Sequence, residues 1–209
     1  MYMPPAFAEH RLPVLHEAIR QARLTTLVTL NETGLEASQV PVLLDPAEGE
    51  FGTIYGHLAR ANPQWRGVSP IVPALAIVNG PDAYISPSWY ATKQQTGKVV
   101  PTWNYVVVHA YGGIEFIEDA DGLLAVVTKL TNHHEGKRAE PWSVSDAPED
   151  FIQGQLRGIV GFKLTITRME GKWKLSQNRS AEDRAGVIDG LQKGDGPMEA
   201  VLASLMSSS

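Results

Sequence analysis

Residues 84–109 read YISPSWYATKQQTGKVVPTWNYVVVH and hold two of the five tryptophans and three of the six tyrosines. No acidic residue occurs from Tyr84 to Ile114. Pro87, Gly97 and Pro101 break the first part into a loop or one short helical turn, whereas residues 102–108 are β-branched and aromatic. An aromatic, polar loop therefore feeds a strand. Rigid amphipathic rings beside Lys93 and Lys98 on a β scaffold suit small-molecule or partner contacts. The same rings, Trp89, Tyr90 and Trp103, equally suit a core in which their polar atoms are satisfied.

Upstream, Leu15, Ala18, Ile19 and Ala22 recur at helical spacing, which predicts a helix over 12–23. Three β-rich runs follow at 25–30, 35–44 and 51–55, separated by the turns Asn31-Glu-Thr-Gly34 and Asp45-Pro-Ala-Glu-Gly49. Short turns between strands make an antiparallel meander. Pro41 has no amide hydrogen to donate, so its strand is expected at an edge or bulged there. Residues 56–65, GHLARANPQW, leave the strand and open a short helix; His57, Arg60 and Asn62 there would suit an anion such as phosphate. A solvated Arg60 and a satisfied His57 are the alternative. A short strand is predicted at 74–78, closed by the turn signal Asn79-Gly-Pro-Asp82.

Downstream, Gly112 and Gly113 predict a bulge or bend before a strand at 114–117. Asp119 or Asp121 then caps a helix with Leu123, Leu124, Val127 and Leu130 on one face. Its end carries His133 and His134, whose adjacent side chains diverge by about 100° on a helix. That spacing favours helix-end roles over a shared metal ion. Ser145-Asp-Ala-Pro148 starts another helix with Phe151, Ile152 and Leu156 inward. Val160, Phe162, Leu164 and Ile166 alternate with polar residues as one half-buried strand, and Glu170-Gly171 predicts a hairpin into 172–176. Ser180 and Asp183 resemble a capping box before a helix with Val187, Ile188 and Leu191. Beyond the linker at 194–197, a last helix uses Met198, Val201, Leu202 and Leu205, and residues 207–209 are expected to fray.

The 209 residues suit one main domain, and 43% apolar with 20% charged residues is an ordinary globular composition. A formal net charge of -5 argues against affinity drawn chiefly from a phosphate backbone. The absence of cysteine excludes disulfides, thiol catalysis and thiolate metal sites. No signal peptide and no apolar run of membrane-spanning length are visible, so a cytoplasmic protein without membrane contact is expected. There is no phosphate-binding G-x-x-x-x-G-K-[ST], no G-x-G-x-x-G and no G-x-S-x-G.

Several stretches together, HLARANPQW (57–65), YISPSWY (84–90), TGKVVPTWNY (96–105), VH (108–109), PWSVSDAP (141–148) and KLSQNR followed by DR-GV (174–187), resemble the PaiB-type FMN-binding regulators. The order and number of these segments make the match specific. It implies a mainly β protein with flanking helices (α+β), an FMN-binding split β-barrel of Greek-key type with six strands, over residues 1–192, with 193–209 as linker and C-terminal helix. It further implies a homodimer with FMN between the subunits. The phosphate would fall to His57, Arg60 and Asn62, and backbone groups of Ser38, Gln39, Val40 and Pro41 would meet the edge of the isoalloxazine. From the partner copy, Thr102, Trp103 and Asn104 would face the ring, with Lys174, Gln177 and Arg179 closing the pocket.

Family members act as negative transcriptional regulators, which implies a DNA or transcriptional partner. No helix-turn-helix pair is visible and the final helix is apolar. The rival expectation is an FMN-dependent oxidoreductase or flavin reductase using NAD(P)H, with His57 or Tyr105 as proton donor.

Overall fold

The computed structural model describes residues 1–208. Among these residues eight strands follow the chain: β1 Ala8–Glu9, β2 Thr25–Asn31, β3 Gly34–Val40, β4 Val42–Asp45, β5 Thr53–Ala59, β6 Ala74–Ile85, β7 Thr102–Ile117 and β8 Ile159–Lys174. Six α-helices flank them: α1 Leu12–Gln21, α2 Ala91–Thr96, α3 Ala120–Glu135, α4 Glu149–Leu156, α5 Ala181–Lys193 and α6 Glu199–Ser207. The strand order is β3-β2-β6-β7-β8-β5-β4, with β1 added against β8. The architecture is the expected α+β one. It has eight strands rather than six because Pro41 divides the second predicted run, 35–44, into β3 and β4, and because β1 supplies an extra short strand. No helix of the described residues is long and apolar enough to cross a membrane.

Two turn signals are overridden. The Asn79-Gly-Pro-Asp82 signal lies inside β6, which runs on to Ile85. A Cβ on Gly80 would sit 2.9 Å from Val106, so this glycine serves close approach to β7 and not a turn. Glu170-Gly171 likewise does not turn: Gly171 pairs with Glu9 of β1, and β8 continues to Lys174. Gly112 is no bulge signal either. Its missing Cβ leaves room for the Thr165 carbonyl of β8, 1.9 Å from where that atom would lie.

The chain divides into two compact units. One comprises Leu12–Val78 and His109–Met169. Here β2 pairs with β3 from Thr25↔Val40 to Asn31↔Gly34, and β5 pairs with β4 and β8. Val160, Phe162, Leu164 and Ile166 are buried, as their alternation predicts. Asp119 caps α3 by accepting from the Gly122 amide at 2.8 Å. In α4, Leu156 is buried but Phe151 is 55% exposed, contrary to expectation. Residues five apart on a helix point about 140° apart, so one face cannot bury both.

The other unit comprises Met1–Arg11, Asn79–Val108 and the chain from Glu170 onward. Its core joins Ala83, Ile85, Tyr90, Val106, Leu175, Val187 and Leu191 to Leu202, Ala203 and Met206 of α6. The buried face of α6 is thus turned from the predicted one, and Val201 is exposed. Ser209, the end of the tail expected to fray, lies outside the described residues. Trp89 lies across α5, where a Cβ on Gly190 would meet its ring at 2.3 Å. Asp183 at the start of α5 accepts from the Thr92 amide and hydroxyl, both at 2.9 Å, which ties α2 to α5.

Candidate functional site

In the first of these units the residues expected to meet the phosphate, His57, Arg60 and Asn62, lie in β5 and just after it. The strand extends through Ala59, so His57 lies inside it and not in the turn that follows. His57 pairs with Gly161, and directly opposed residues share a sheet face. A Cβ on Gly161 would meet Ile117 and Leu123 at 3.2 Å, so the imidazole is on the side covered by α3. Burial holds its pKa below the usual histidine value, and Nδ1 has no partner among the described residues.

After β5, Asn62 caps a 3-10 turn, Pro63–Trp65, by accepting from the Gln64 amide at 2.9 Å. Its Nδ2 donates to Ser38 Oγ at 2.8 Å, which brings two of the predicted residues together. Gln39 points to the opposite face of β3 and exchanges hydrogen bonds with Thr26. Val40 is buried, and Pro41 interrupts the strand. Because β3 ends the strand order, its outer edge has no strand partner among the described residues. Arg60 donates from Nε to the Arg157 carbonyl at 3.1 Å and from Nη1 to Glu118 at 2.9 Å. Its guanidinium is held in place, with a carboxylate already on it.

In the other unit, strand alternation sorts side chains onto two faces. Asn104, Val106 and Leu175 turn towards the helical core, whereas Tyr84, Trp103, Tyr105, Lys172 and Lys174 turn away from it. Tyr84 and Trp103 meet edge to face at 6.0 Å and are 47% and 51% exposed. Lys174 Nζ donates to the Thr102 hydroxyl at 2.6 Å and to the Trp103 carbonyl. Burial lowers the Lys174 pKa, and the neighbouring charges of Lys172 and Arg179 lower it further. Lys172 is itself buried against the Tyr2 carbonyl, at 3.2 Å, and the Tyr105 ring, at 5.3 Å. Arg179 stacks on Tyr90 at 4.7 Å. Lys172 and Lys174 therefore lie on the face of the exposed aromatic pair, Arg179 adds its charge to Lys174 from the Tyr90 side, and Lys174 has no carboxylate partner among the described residues.

Asn104 and Gln177 are placed differently. Asn104 is fully buried, exchanges hydrogen bonds with Ser176 Oγ at 3.1 and 3.2 Å, and donates to Met206 Sδ at 3.5 Å. Gln177 accepts from the Leu175 amide at 2.8 Å and donates to the Trp173 carbonyl at 2.6 Å, which pins the turn after β8. Both side chains are engaged within their own unit. Ser176, between them, has φ 61°, a left-handed conformation uncommon outside glycine. Lys172, Tyr84, Glu118 and Arg157 were not singled out from sequence. Lys172 and Lys174 sit two apart in a strand, a spacing that places them on one face and was readable; Glu118 and Arg157 carry no local signal.

Exposed aromatic rings beside cations and a hydroxyl in one unit, and an unpaired strand edge in the other, are each the kind of group that flavin nucleotides use. Among the described residues no three His, Asp or Glu side chains are grouped to hold a metal ion. The family model described as "Putative FMN-binding domain" matches residues 1–168. The chain is also 32% identical to the protease synthase and sporulation protein PAI 2 of Bacillus subtilis, over 99% of this chain and 96% of that protein. It belongs to the PaiB-type FMN-binding family. A further family relative, an uncharacterised protein of Aspergillus fumigatus, is 36% identical over 92% of this chain and 91% of its own. The fold is similar to that of the FAD and heme binding protein from Mycobacterium smegmatis, at TM-score 0.56 and 14% identity, covering 84% of this chain and 77% of that one. FMN is the cofactor that membership of the PaiB-type family assigns, and the split barrel is its scaffold.

Proposed function

We propose that this protein is a homodimeric FMN-binding regulator whose flavin bridges two copies and whose flavin occupancy biases the dimer. In this reading the phosphate lies against Arg60 and Asn62 of one copy, near the outer edge of β3. The isoalloxazine lies on the Tyr84–Trp103 face of the other copy, beside Thr102 and Lys174. The observation that carries the reading is that face: two half-exposed rings next to clustered cations, on the side of the strands turned from their helical core. Asn104, Gln177 and Arg179 support the face from behind rather than touch the ring. Bound FMN would supply an electron-accepting ring, and this chain's residues would orient it and shield it from water. The acidic net charge of -5 favours a regulatory output through the dimer and a protein partner over direct phosphate-backbone binding.

The test is the visible spectrum of purified protein before and after FMN addition and dialysis, with molar mass by light scattering on the same samples. Stoichiometric flavin on a dimer is expected, and Trp103→Ala should weaken binding by about tenfold or more, the scale of one aromatic stacking contact. Full retention of flavin by Trp103→Ala would sink the reading. Sustained NAD(P)H oxidation by the flavin-loaded protein would favour the oxidoreductase instead.

A further inference from the structure

We propose that the recess beside Arg60 is a phosphate-ester site in which Arg157 and Gln153 are further ligands and Glu118 is a displaceable counter-ion, so that the protein distinguishes FMN from riboflavin there. The inference rests on the reading of Arg60 as the phosphate arginine and extends it to α4. The recess has a volume of about 320 Å³, with Leu123 and Leu156 as its apolar floor and Arg60, Arg157, Gln153 and Glu118 around it. Small-molecule pockets span roughly 300–1,000 Å³, so this one suits a phosphate head better than a whole flavin.

The end of α4 orients Arg60 twice: the Arg157 carbonyl accepts from Nε at 3.1 Å, and the Gly158 carbonyl accepts from the Arg60 amide at 2.8 Å. The same end of the helix presents the Arg157 guanidinium, which has no carboxylate partner among the described residues. Two guanidinium groups against one carboxylate leave a net positive charge. A phosphate monoester carries close to two negative charges at neutral pH. The Arg60 and Glu118 side chains are 33% and 55% exposed, and ion pairs so wetted contribute little. A dianion with several acceptor oxygens makes stronger, charge-assisted hydrogen bonds to the two arginines, and Glu118 can swing into solvent.

FMN and riboflavin, which differ only in the phosphate, are titrated by flavin fluorescence into the wild type, Arg60→Ala, Arg157→Gln and Glu118→Gln, each checked by circular dichroism. Arg157→Gln should weaken FMN roughly tenfold, the loss of one charge-assisted hydrogen bond, and leave riboflavin unchanged. Glu118→Gln should tighten FMN by about three- to tenfold at low salt, an effect that shrinks as salt screens it. Opposite movements by two variants cannot come from partial unfolding. If Arg60→Ala weakens FMN selectively while Arg157→Gln and Glu118→Gln shift FMN and riboflavin alike, the inference is wrong and the Arg60 reading stands. If Arg60→Ala also fails to separate the two flavins, both fall.

Discussion

Asn104→Ala separates a side chain that faces a cofactor from one that holds a strand to a helix. The substitution removes the reciprocal hydrogen bonds with Ser176, at 3.1 and 3.2 Å, and the contact to Met206 Sδ. Ser176 is 4% exposed, so its hydroxyl would be left buried without that partner. Stranding a buried polar group costs about 1–3 kcal/mol, and a small cavity at a site that is 0% exposed adds to it. Ser176 also loses the restraint that offsets its left-handed backbone, a conformation costing about 1 kcal/mol or more. The expected destabilisation is therefore about 2–4 kcal/mol. Urea unfolding followed by circular dichroism reads this as a midpoint lowered by about 1–2 M, taking a slope of about 2 kcal/mol per M. Asn104→Ala and Ser176→Ala should combine to less than the sum of their separate effects, because they break the same pair. A stability change under about 0.5 kcal/mol, together with FMN affinity reduced more than tenfold, would refute this reasoning and return Asn104 to the flavin.

Gly112→Ala should destabilise by about 3 kcal/mol, since its Cβ would collide with backbone atoms of Thr165. Gly113→Ala, with nothing within 4 Å of its Cβ position, is the matched control and should cost far less. The pH profile of the melting temperature tests His57. Because burial lowers the folded-state pKa, its contribution is complete above the ordinary histidine value of about 6.5. It is lost as the pH falls towards the folded value, where the unfolded chain binds the proton first. His57→Leu should flatten that fall; His109, also lowered by burial and by Arg168, accounts for part of what remains. An unchanged slope in His57→Leu would show that the imidazole is not desolvated. Glu48, whose carboxyl is held low by the hydrogen bonds from Tyr55 and Lys163, titrates in a separate window. Its contribution is present above a pH of about 4.3 and disappears below it, and Glu48→Gln should remove that acid limb.

Features written in local spacing were legible. The β2–β3 turn, the Asp119 cap and the alternation from Val160 to Ile166 each depend on residues within a few positions of one another. Signals that compete with distant partners misled. Asn79-Gly-Pro-Asp82 has the composition of a turn, but β7 needs Gly80 to approach, and sheet pairing outweighs turn preference. In the candidate site, Trp103 and Lys174 entered through the family resemblance, and only the strand order places them on neighbouring strands. The burial of Asn104 could not be read from local spacing, because Ser176 and Met206 lie 72 and 102 residues away. The Glu118 carboxylate on Arg60, 58 residues distant, was equally invisible.

The unit that carries Trp103 is assembled from three separate pieces of chain, the last beginning at Glu170. On the ribosome, residues 79–108 therefore emerge long before α5 and α6 exist to cover their apolar side. Loop-closure entropy over such separations slows folding, and strands exposed in the meantime invite pairing with other chains. The yield of correctly folded protein should therefore depend on how fast the last forty or so residues are translated and released, and a nascent chain halted before α5 should need a chaperone to stay in solution.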